Sequence, residues 1–215
     1  MTELPILLLD NFFLFPKCEN YLSLENNTYW KNVLLKAWKE WGGHLLVIPN
    51  KEKIDDNSEK FVPVGTLTKI NLGLSIGTDL EPVINSFKEI QLKGLERIKV
   101  TSLEKREEMW YGKYQILSEK ELTEKELDEL TEKFVRHFPD ILEKTKLSSV
   151  EKLSHKMMVS SNSPLHNISN LIDFIAQNSR EIDQLTKWKI LVSLDLAERL
   201  EILISLPDRQ KIEEE

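Results

Sequence analysis

The residues of this chain that could do chemistry do not form a nucleotide-binding motif. A P-loop needs Gly-x-x-x-x-Gly-Lys-Ser/Thr, because its backbone amides and its lysine cradle phosphates. The chain has one Gly-Lys pair, Gly112-Lys113, but Glu107 stands at the first glycine position and Tyr114 stands where a hydroxyl residue should bind magnesium. The sequence therefore predicts no cofactor in this chain.

Metal and nucleophile motifs are also missing from the sequence. The four histidines form no His-x-x-x-His pair, and they are His44, His137, His155 and His166. Cys18 is the only cysteine, so it predicts a buried thiol and no intrachain disulfide, which fits a reducing, cytoplasmic location. Asp55-Asp56 is typical of a solvated turn, and Glu107-Glu108 is typical of a charged strand end. The sequence predicts neither a metal site nor a catalytic residue.

Two groups of apolar residues fit a single packed stripe poorly. They are Met109-Trp110-Tyr111 and Met157-Met158. Two adjacent methionines on a helix cannot both lie on one narrow apolar stripe, and flexible thioethers suit surfaces that accept many partners. Core packing remains the simpler interpretation of each residue, and an adaptable binding surface is the alternative.

The elements that would position these side chains belong to two bodies of different composition. All seven glycines precede residue 113, where they separate short apolar runs as turn-rich β structure requires. Residues 1–117 therefore predict about six strands and one helix, an α+β domain built on a curled sheet or open barrel. The predicted strands are Ile6–Leu9, His44–Ile48, Val64–Ile70, Phe87–Leu92, Leu95–Val100 and Tyr111–Leu117.

One helix is predicted inside this first body. Between Thr28 and Trp41 the apolar residues follow helical spacing, with Asn27 or Thr28 as its cap and Gly42-Gly43 at its end. Its tryptophans are expected to pack on the sheet, and they are Trp30, Trp38 and Trp41.

Residues 118–215 lack glycine and are rich in Glu, Lys and Leu, which predicts an all-α helical bundle. Ser118-x-x-Glu121 is interpreted as the capping box of its first helix, and Pro139 is expected to end or bend that helix. Ser148-x-x-Glu151 predicts a second helix, which carries Met157. Three more helices follow: one ends near Asn178, one covers Leu185–Val192, and one opens at Asp195-x-x-Glu198. Lys211–Glu215 returns to helix-forming residues, so we expect the bundle to lead toward a further domain.

Charge and hydropathy narrow the classes of partner. The formal net charge is −7, with 15 basic and 16 acidic residues in 1–117 and 14 against 20 in 118–215. Nucleic acid is therefore an unexpected partner, because phosphate binding needs a clustered basic surface. No apolar run approaches the roughly 18 residues that span a bilayer, so the sequence predicts no membrane contact.

The order of these segments resembles the N-terminal domain of the ATP-dependent Lon proteases. The similar segments are Leu4–Asp10 with Phe15-Pro16, Phe61–Ile70, Lys93–Ile98, Asn170–Ala176 and Leu194–Leu200. The most specific of them is Gly94-Leu95-Glu96-Arg97, which is close to the family's Gly-Leu-x-Arg. Asp10-Asn11 lacks the family's Arg-Asp, and residues 73–82 fit its hairpin poorly.

The resemblance implies a PUA-like domain over 1–117 and a helical bundle over 118–215 that leads to the ATPase module. It implies that this chain recognises unfolded or damaged protein clients and supports a homo-hexamer within a Lon serine endopeptidase. ATP and Mg are then expected only in the ATPase module, outside this chain, and no enzyme activity is expected here. On this basis we hypothesise that Met109, Trp110, Tyr111, Met157 and Met158 contact clients.

Three other functions stay open at the level of sequence. A stand-alone LON-domain adaptor or ligand-binding protein would lack protease activity. An RNA-binding PUA-like domain would need a basic patch, which the near-neutral first body does not predict. An unrecognised enzyme would need convergent titratable groups in a pocket.

Overall fold

The structure is a computed structural model that describes residues 3–25, 27–50, 64–71, 88–147 and 164–207, with only the backbone described for 164–167. The chain divides into two compact units, Met1–Leu117 and Ser118–Glu215. We call them the β unit and the helical unit. The described elements are β1 Glu3–Leu9, β2 Glu19–Ser23, α1 Thr28–Trp41, β3 His44–Pro49, β4 Val64–Asn71, β5 Glu89–Arg106, β6 Met109–Ile116, α2 Glu124–Thr145, α3 Pro164–Asn178, α4 Gln184–Val192 and α5 Leu196–Ile204. The fold is α+β, as predicted.

The six described strands form one mixed sheet in the order β2-β5-β4-β3-β1-β6. Only the β1–β3 pair is parallel. A further pairing between β5 and β6 closes five of the strands into a ring, and β2 adds to the outside of this ring along the first residues of β5. The sheet is thus curled until its ends meet.

Successive residues of β1 and β3 enter two separate apolar clusters, because side chains alternate between the faces of a strand. The first cluster packs against α1 and includes Leu7, Leu9, Leu45 and Val47, together with Leu34 of the helix. We call it the α1-side cluster. The second lies on the other face and consists of Leu4, Ile6, Leu46, Ile48, Ile98 and Val100. We call it the opposite cluster.

Helix α1 begins and ends where its capping residues predict. The Asn27 side chain accepts a hydrogen bond from the Trp30 amide at 2.9 Å. Gly42 adopts the left-handed conformation with φ of 58°, and the Gly43 amide donates to the Ala37 carbonyl at 3.0 Å. The three tryptophans of the helix are half-buried against the α1-side cluster.

The prediction of two strands meeting at Gly94 is wrong, because β5 is one strand of 18 residues. Gly94 is not a turn residue; its missing side chain allows the backbone at Phe15 to lie close to β5. A Cβ atom placed there would lie 2.2 Å from the Phe15 carbonyl oxygen. The Gly94 amide donates to the Cys18 carbonyl at 2.8 Å, and the Lys17 amide donates to the Gly94 carbonyl at 3.0 Å. These contacts hold the segment after β1 against the strand.

The segment between β1 and α1 contains irregular chain and one further strand. The apolar run Phe12–Phe15 is irregular, and its residues Phe13, Leu14 and Phe15 are buried. Strand β2 is not predicted by the sequence, because only Leu22 of its five residues is buried. A strand with a single buried residue shows no alternation of apolar and polar residues in its sequence.

The helical unit begins later than its sequence predicts. The capping box of α2 is Thr123-x-x-Glu126: the Glu126 amide donates to Thr123 Oγ1 at 3.3 Å, and the Thr123 amide donates to Glu126 Oε2 at 2.8 Å. The box predicted at Ser118-x-x-Glu121 is wrong. Helix α2 also continues through Pro139 to Thr145. Buried Ile141 and Leu142 anchor the turns beyond the proline, which offsets the hydrogen bond that its ring removes.

Helices α3, α4 and α5 agree with the predicted apolar spacing, and Asp195 caps α5 by accepting from the Ala197 amide at 2.9 Å. The predicted loop at Asp55-Asp56 and the predicted helix that opens at Ser148 and carries Met157 lie outside the described residues.

Candidate functional site

Strand β6 distributes the three predicted contact residues between its two faces. Met109 and Tyr111 are 9% and 4% exposed and belong to the α1-side cluster. The Tyr111 ring lies 5.9 Å from that of Trp41, measured between centroids. Trp110 points to the other face, where it is half-buried against the opposite cluster.

The remaining predicted contact residues, Met157 and Met158, lie outside the described residues. Client contact by the five residues therefore stays a prediction. Within the described chain, the β unit brings Met109, Trp110 and Tyr111 to one strand but does not bring them to one surface.

The face that carries Trp110 has further apolar side chains in successive rows of the β5–β6 hairpin. The paired residues are Lys105 with Trp110, Leu103 with Gly112, Val100 with Tyr114, and Ile98 with Ile116. Directly paired residues of neighbouring strands lie on the same side of a sheet. We therefore define the hairpin face as Leu103, Trp110, Tyr114 and Ile116.

The hairpin face is partly open to solvent. Leu103 is 38% exposed and Ile116 is 51% exposed, and Trp110 and Tyr114 are half-buried. Gly112 leaves the middle row without a side chain, since a Cβ there would lie 2.8 Å from Ile6 Cδ1 and 2.9 Å from Val100 Cγ1. The Ile6 and Val100 side chains therefore fill the space beside Gly112, between the large apolar groups of the hairpin face.

Charged contacts fasten the tip of this hairpin to β1. Arg106 donates to both carboxylate oxygens of Glu3, at 2.8 and 3.1 Å, and it also pairs with Glu104. Its guanidinium carbon lies 5.3 Å from the centroid of the Tyr111 ring. These contacts join the tip of the β5–β6 hairpin to β1, beside the hairpin face.

The helical unit contains a depression beside α2 and α5. It has a volume of about 230 Å³, with Leu122, Leu130 and Ala197 among its lining residues. Its other lining residues are Lys120, Glu126, Glu129, Lys133 and Asp195. Lys120 pairs with Asp195 at 2.9 Å and Lys133 pairs with Glu201, so both cations of the depression are already paired with carboxylates of this chain.

The chemistry of these surfaces can be described from their side chains. No group of three or more His, Cys, Asp or Glu side chains within the described ranges could hold a metal ion. The hairpin face itself offers aliphatic and aromatic groups, whose contacts depend on apolar area rather than on a particular sequence. Among the helices that the structure describes, none has the length and hydropathy needed to cross a membrane.

Leu103 and Ile116 are the functional candidates that the sequence reasoning missed. Period-2 alternation along Met109–Ile116 would have assigned Trp110, Tyr114 and Ile116 to one face. The position of Leu103 requires the register across β5, which contains a shift between Val100 and Ser102. No pattern in the sequence marks that shift.

The fold has known counterparts. The N-terminal domain of Mycobacterium avium complex Lon protease is 17% identical, with a TM-score of 0.63, and the alignment covers 95% of this chain and 97% of that one. A Lon N-terminal domain protein from Xanthomonas campestris is also 17% identical, with a TM-score of 0.56 and coverage of 96% and 100%. No curated protein matches the chain.

A family model spans nearly all of the sequence. It is described as the ATP-dependent protease La (LON) substrate-binding domain, and it matches residues 3–209. That range covers both units and includes all of the described residues. The chain therefore belongs to the LON substrate-binding domain family.

Proposed function

We propose that this chain is the client-recognition segment of an ATP-dependent Lon protease, binding unfolded or damaged proteins ahead of their degradation. The family match over residues 3–209 supports the assignment. The observation that carries the binding role is the hairpin face, where Leu103 and Ile116 are 38% and 51% exposed beside Trp110 and Tyr114.

This face suits clients that share no sequence. Unfolded chains have in common the apolar side chains that folding would bury, and burial of apolar area contributes about 25 cal/mol per Å² whatever its pattern. Each contact is weak, so useful affinity comes from several copies acting together. A homo-hexamer in the full-length protein would supply those copies, in the cytoplasm, with ATP and Mg bound by a separate ATPase module.

Titration of this chain with one protein in folded and permanently unfolded forms tests the proposal. We expect the unfolded form to bind, and Ile116→Asn to weaken that binding about five- to tenfold, since loss of one large apolar contact costs roughly 1–1.5 kcal/mol. Val135→Asn is the matched control, because Val135 is a β-branched residue on α2 with 55% exposure.

Two results would count against the proposal. Equal binding of folded and unfolded forms would favour an adaptor with a specific partner or a part that only supports assembly. Equal loss in the Ile116 and Val135 variants would mean that the hairpin face has no special role.

A further inference from the structure

Arg199 is the largest fully buried side chain of the described residues, and its charge lies in the middle of the helical unit. Its Nη1 donates to Asp173 Oδ1 on α3 at 3.0 Å, and its Nη2 donates to Ser169 Oγ on the same helix at 3.2 Å. Asp173 is 1% exposed. These bonds join α5 to α3, and they satisfy some of the N–H donors of the guanidinium group.

The remaining partner of Arg199 comes from outside the helices. Glu119 lies before α2, and its carboxylate accepts from Arg199 Nη2 and from Ser169 Oγ, the latter at 2.5 Å. Arg199 Nε has no hydrogen-bond partner among the described atoms. A buried charge is costly unless it is paired. The Glu119 carboxylate therefore lowers the cost of burying Arg199, whose Nε–H has no acceptor in the described part of the chain.

Lys120, the residue after Glu119, also contacts the residues that begin α5. The Lys120 amide donates to the Leu194 carbonyl at 3.0 Å, and Lys120 Nζ pairs with Asp195 at 2.9 Å. The hydrogen bond from this ammonium lowers the pKa of the Asp195 carboxyl. Two consecutive residues of irregular chain are thus attached to the start of α5.

We infer that residues 118–122 are a strap, closed on the helical unit by the Glu119–Arg199 pair, which can open while the helices stay folded. On the preceding side, the Leu117 amide donates to the Arg97 carbonyl of β5 at 2.9 Å. Ser118 is therefore the one residue between two anchored positions. Opening the strap frees the five residues 118–122, whose extended length is roughly 17 Å at about 3.4 Å per residue.

The strap has physical features that favour local opening. It has no internal helix or strand, and its backbone is attached through the Lys120 amide. Glu119 is 27% exposed at its side chain, so water can reach the carboxylate when the pair separates. Segments with few backbone bonds open at lower free energy than the helices they cover.

Amide hydrogen exchange of the full chain tests the inference, with limited trypsin cleavage after Lys120 as a second readout. In Glu119→Ala we expect exchange of the Lys120 amide and cleavage at this bond to rise about 10- to 100-fold, the range that a hydrogen bond to a charged group represents. Amides in α3 and α5 should lose much less protection than the Lys120 amide, because Asp173 still pairs with Arg199. Glu121→Ala changes an exposed acidic residue in the same segment; it is the control for amide exchange and should match the parent chain there.

Two outcomes would overturn the strap. Unchanged protection at Lys120 in Glu119→Ala would show that the carboxylate does not hold the segment. An equal rise in α3 and α5 would show that the segment opens only when the whole unit unfolds. If Glu119→Ala does not fold, Glu119→Gln keeps an acceptor for Arg199 but removes the charge, and exchange at Lys120 should then rise by about 3- to 10-fold, still more than in α3 and α5.

Discussion

At the scale of single residues, close contacts with neighbouring backbone explain why positions 65 and 94 are glycine. Gly94 lies in an extended strand, and a Cβ there would meet the Phe15 carbonyl oxygen at 2.2 Å. Gly65 lies in β4, and a Cβ there would meet the Val47 carbonyl oxygen at 2.3 Å. Both neighbours are backbone atoms, so neither can turn away. The two glycines permit contacts that a side chain would break.

We expect Gly94→Ala to destabilise the β unit by about 3 kcal/mol, because overpacking against a fixed backbone is at the upper end of such costs. Gly42→Ala is the control. Gly42 has φ of 58° and open space around it, so alanine there costs only the left-handed conformation, about 1 kcal/mol. Urea unfolding followed by tryptophan fluorescence measures both. A smaller loss for Gly94→Ala than for Gly42→Ala would contradict this explanation.

The turn between β5 and β6 is a second residue-scale feature. Arg106 pairs with Met109, so the loop has two residues, Glu107 and Glu108, with φ of 47° and 69°. Two-residue hairpin turns with positive φ at both positions favour Asn-Gly. A non-glycine residue in that region costs roughly 1–2 kcal/mol.

Replacing the pair, by Glu107→Asn with Glu108→Gly, should therefore stabilise the β unit by about 1 kcal/mol after the entropy of the added glycine is subtracted. The thermal midpoint of the purified variant measures the gain. Lys105→Gly, in the adjoining extended strand, should have the opposite sign. A lower midpoint for the double variant would mean that the turn is not strained.

At the scale of elements, local chemistry predicted α1 well and β5 poorly. Helix α1 carries a cap, an apolar stripe and a terminal glycine within its own sequence, so nothing distant is needed to define it. The length of β5 depends on three partner strands, and β2, β4 and β6 pair with different parts of it. Gly94 resembles a turn residue in sequence, and only the position of Phe15 shows its role.

The start of α2 shows the same limit. Two Ser/Thr-x-x-Glu patterns occur five residues apart, at Ser118 and Thr123, and the local sequence does not distinguish them. In the structure Thr123 is the N-cap of α2, because Glu119 and Lys120 are bound to α5 residues and their neighbours. Tertiary contacts decided where the helix begins.

This difference can be measured with two conservative variants. Thr123→Ala should destabilise the helical unit by about 1 kcal/mol, the usual contribution of an N-cap side chain. Ser118→Ala should change stability by less than about 0.5 kcal/mol, as exposed positions usually do. Circular dichroism at 222 nm during urea unfolding reports both, and equal losses would favour the earlier helix start.

At the scale of the whole molecule, composition alone separated the glycine-bearing half from the helical half. Glycine serves turns, bulges and close approaches, which sheets need and helix bundles avoid. The candidate binding surface was less predictable. Trp110 could be selected as an unusual residue, whereas Leu103 and Ile116 join it only through cross-strand register.

The closure of the sheet has a consequence for synthesis. Strand β1 lies between β3 and β6, so β1 leaves the ribosome well before β6 and must wait for it. At about 5–20 residues per second, that wait is roughly 5–25 s. A nascent chain that ends at Glu108 lacks β6 and should remain sensitive to protease, whereas one with Ile116 outside the exit tunnel should become resistant. Until then, the apolar residues Leu4–Ile6 lack their β6 partner, so a chain proposed to recognise unfolded proteins itself exposes an apolar segment of the kind it is proposed to bind.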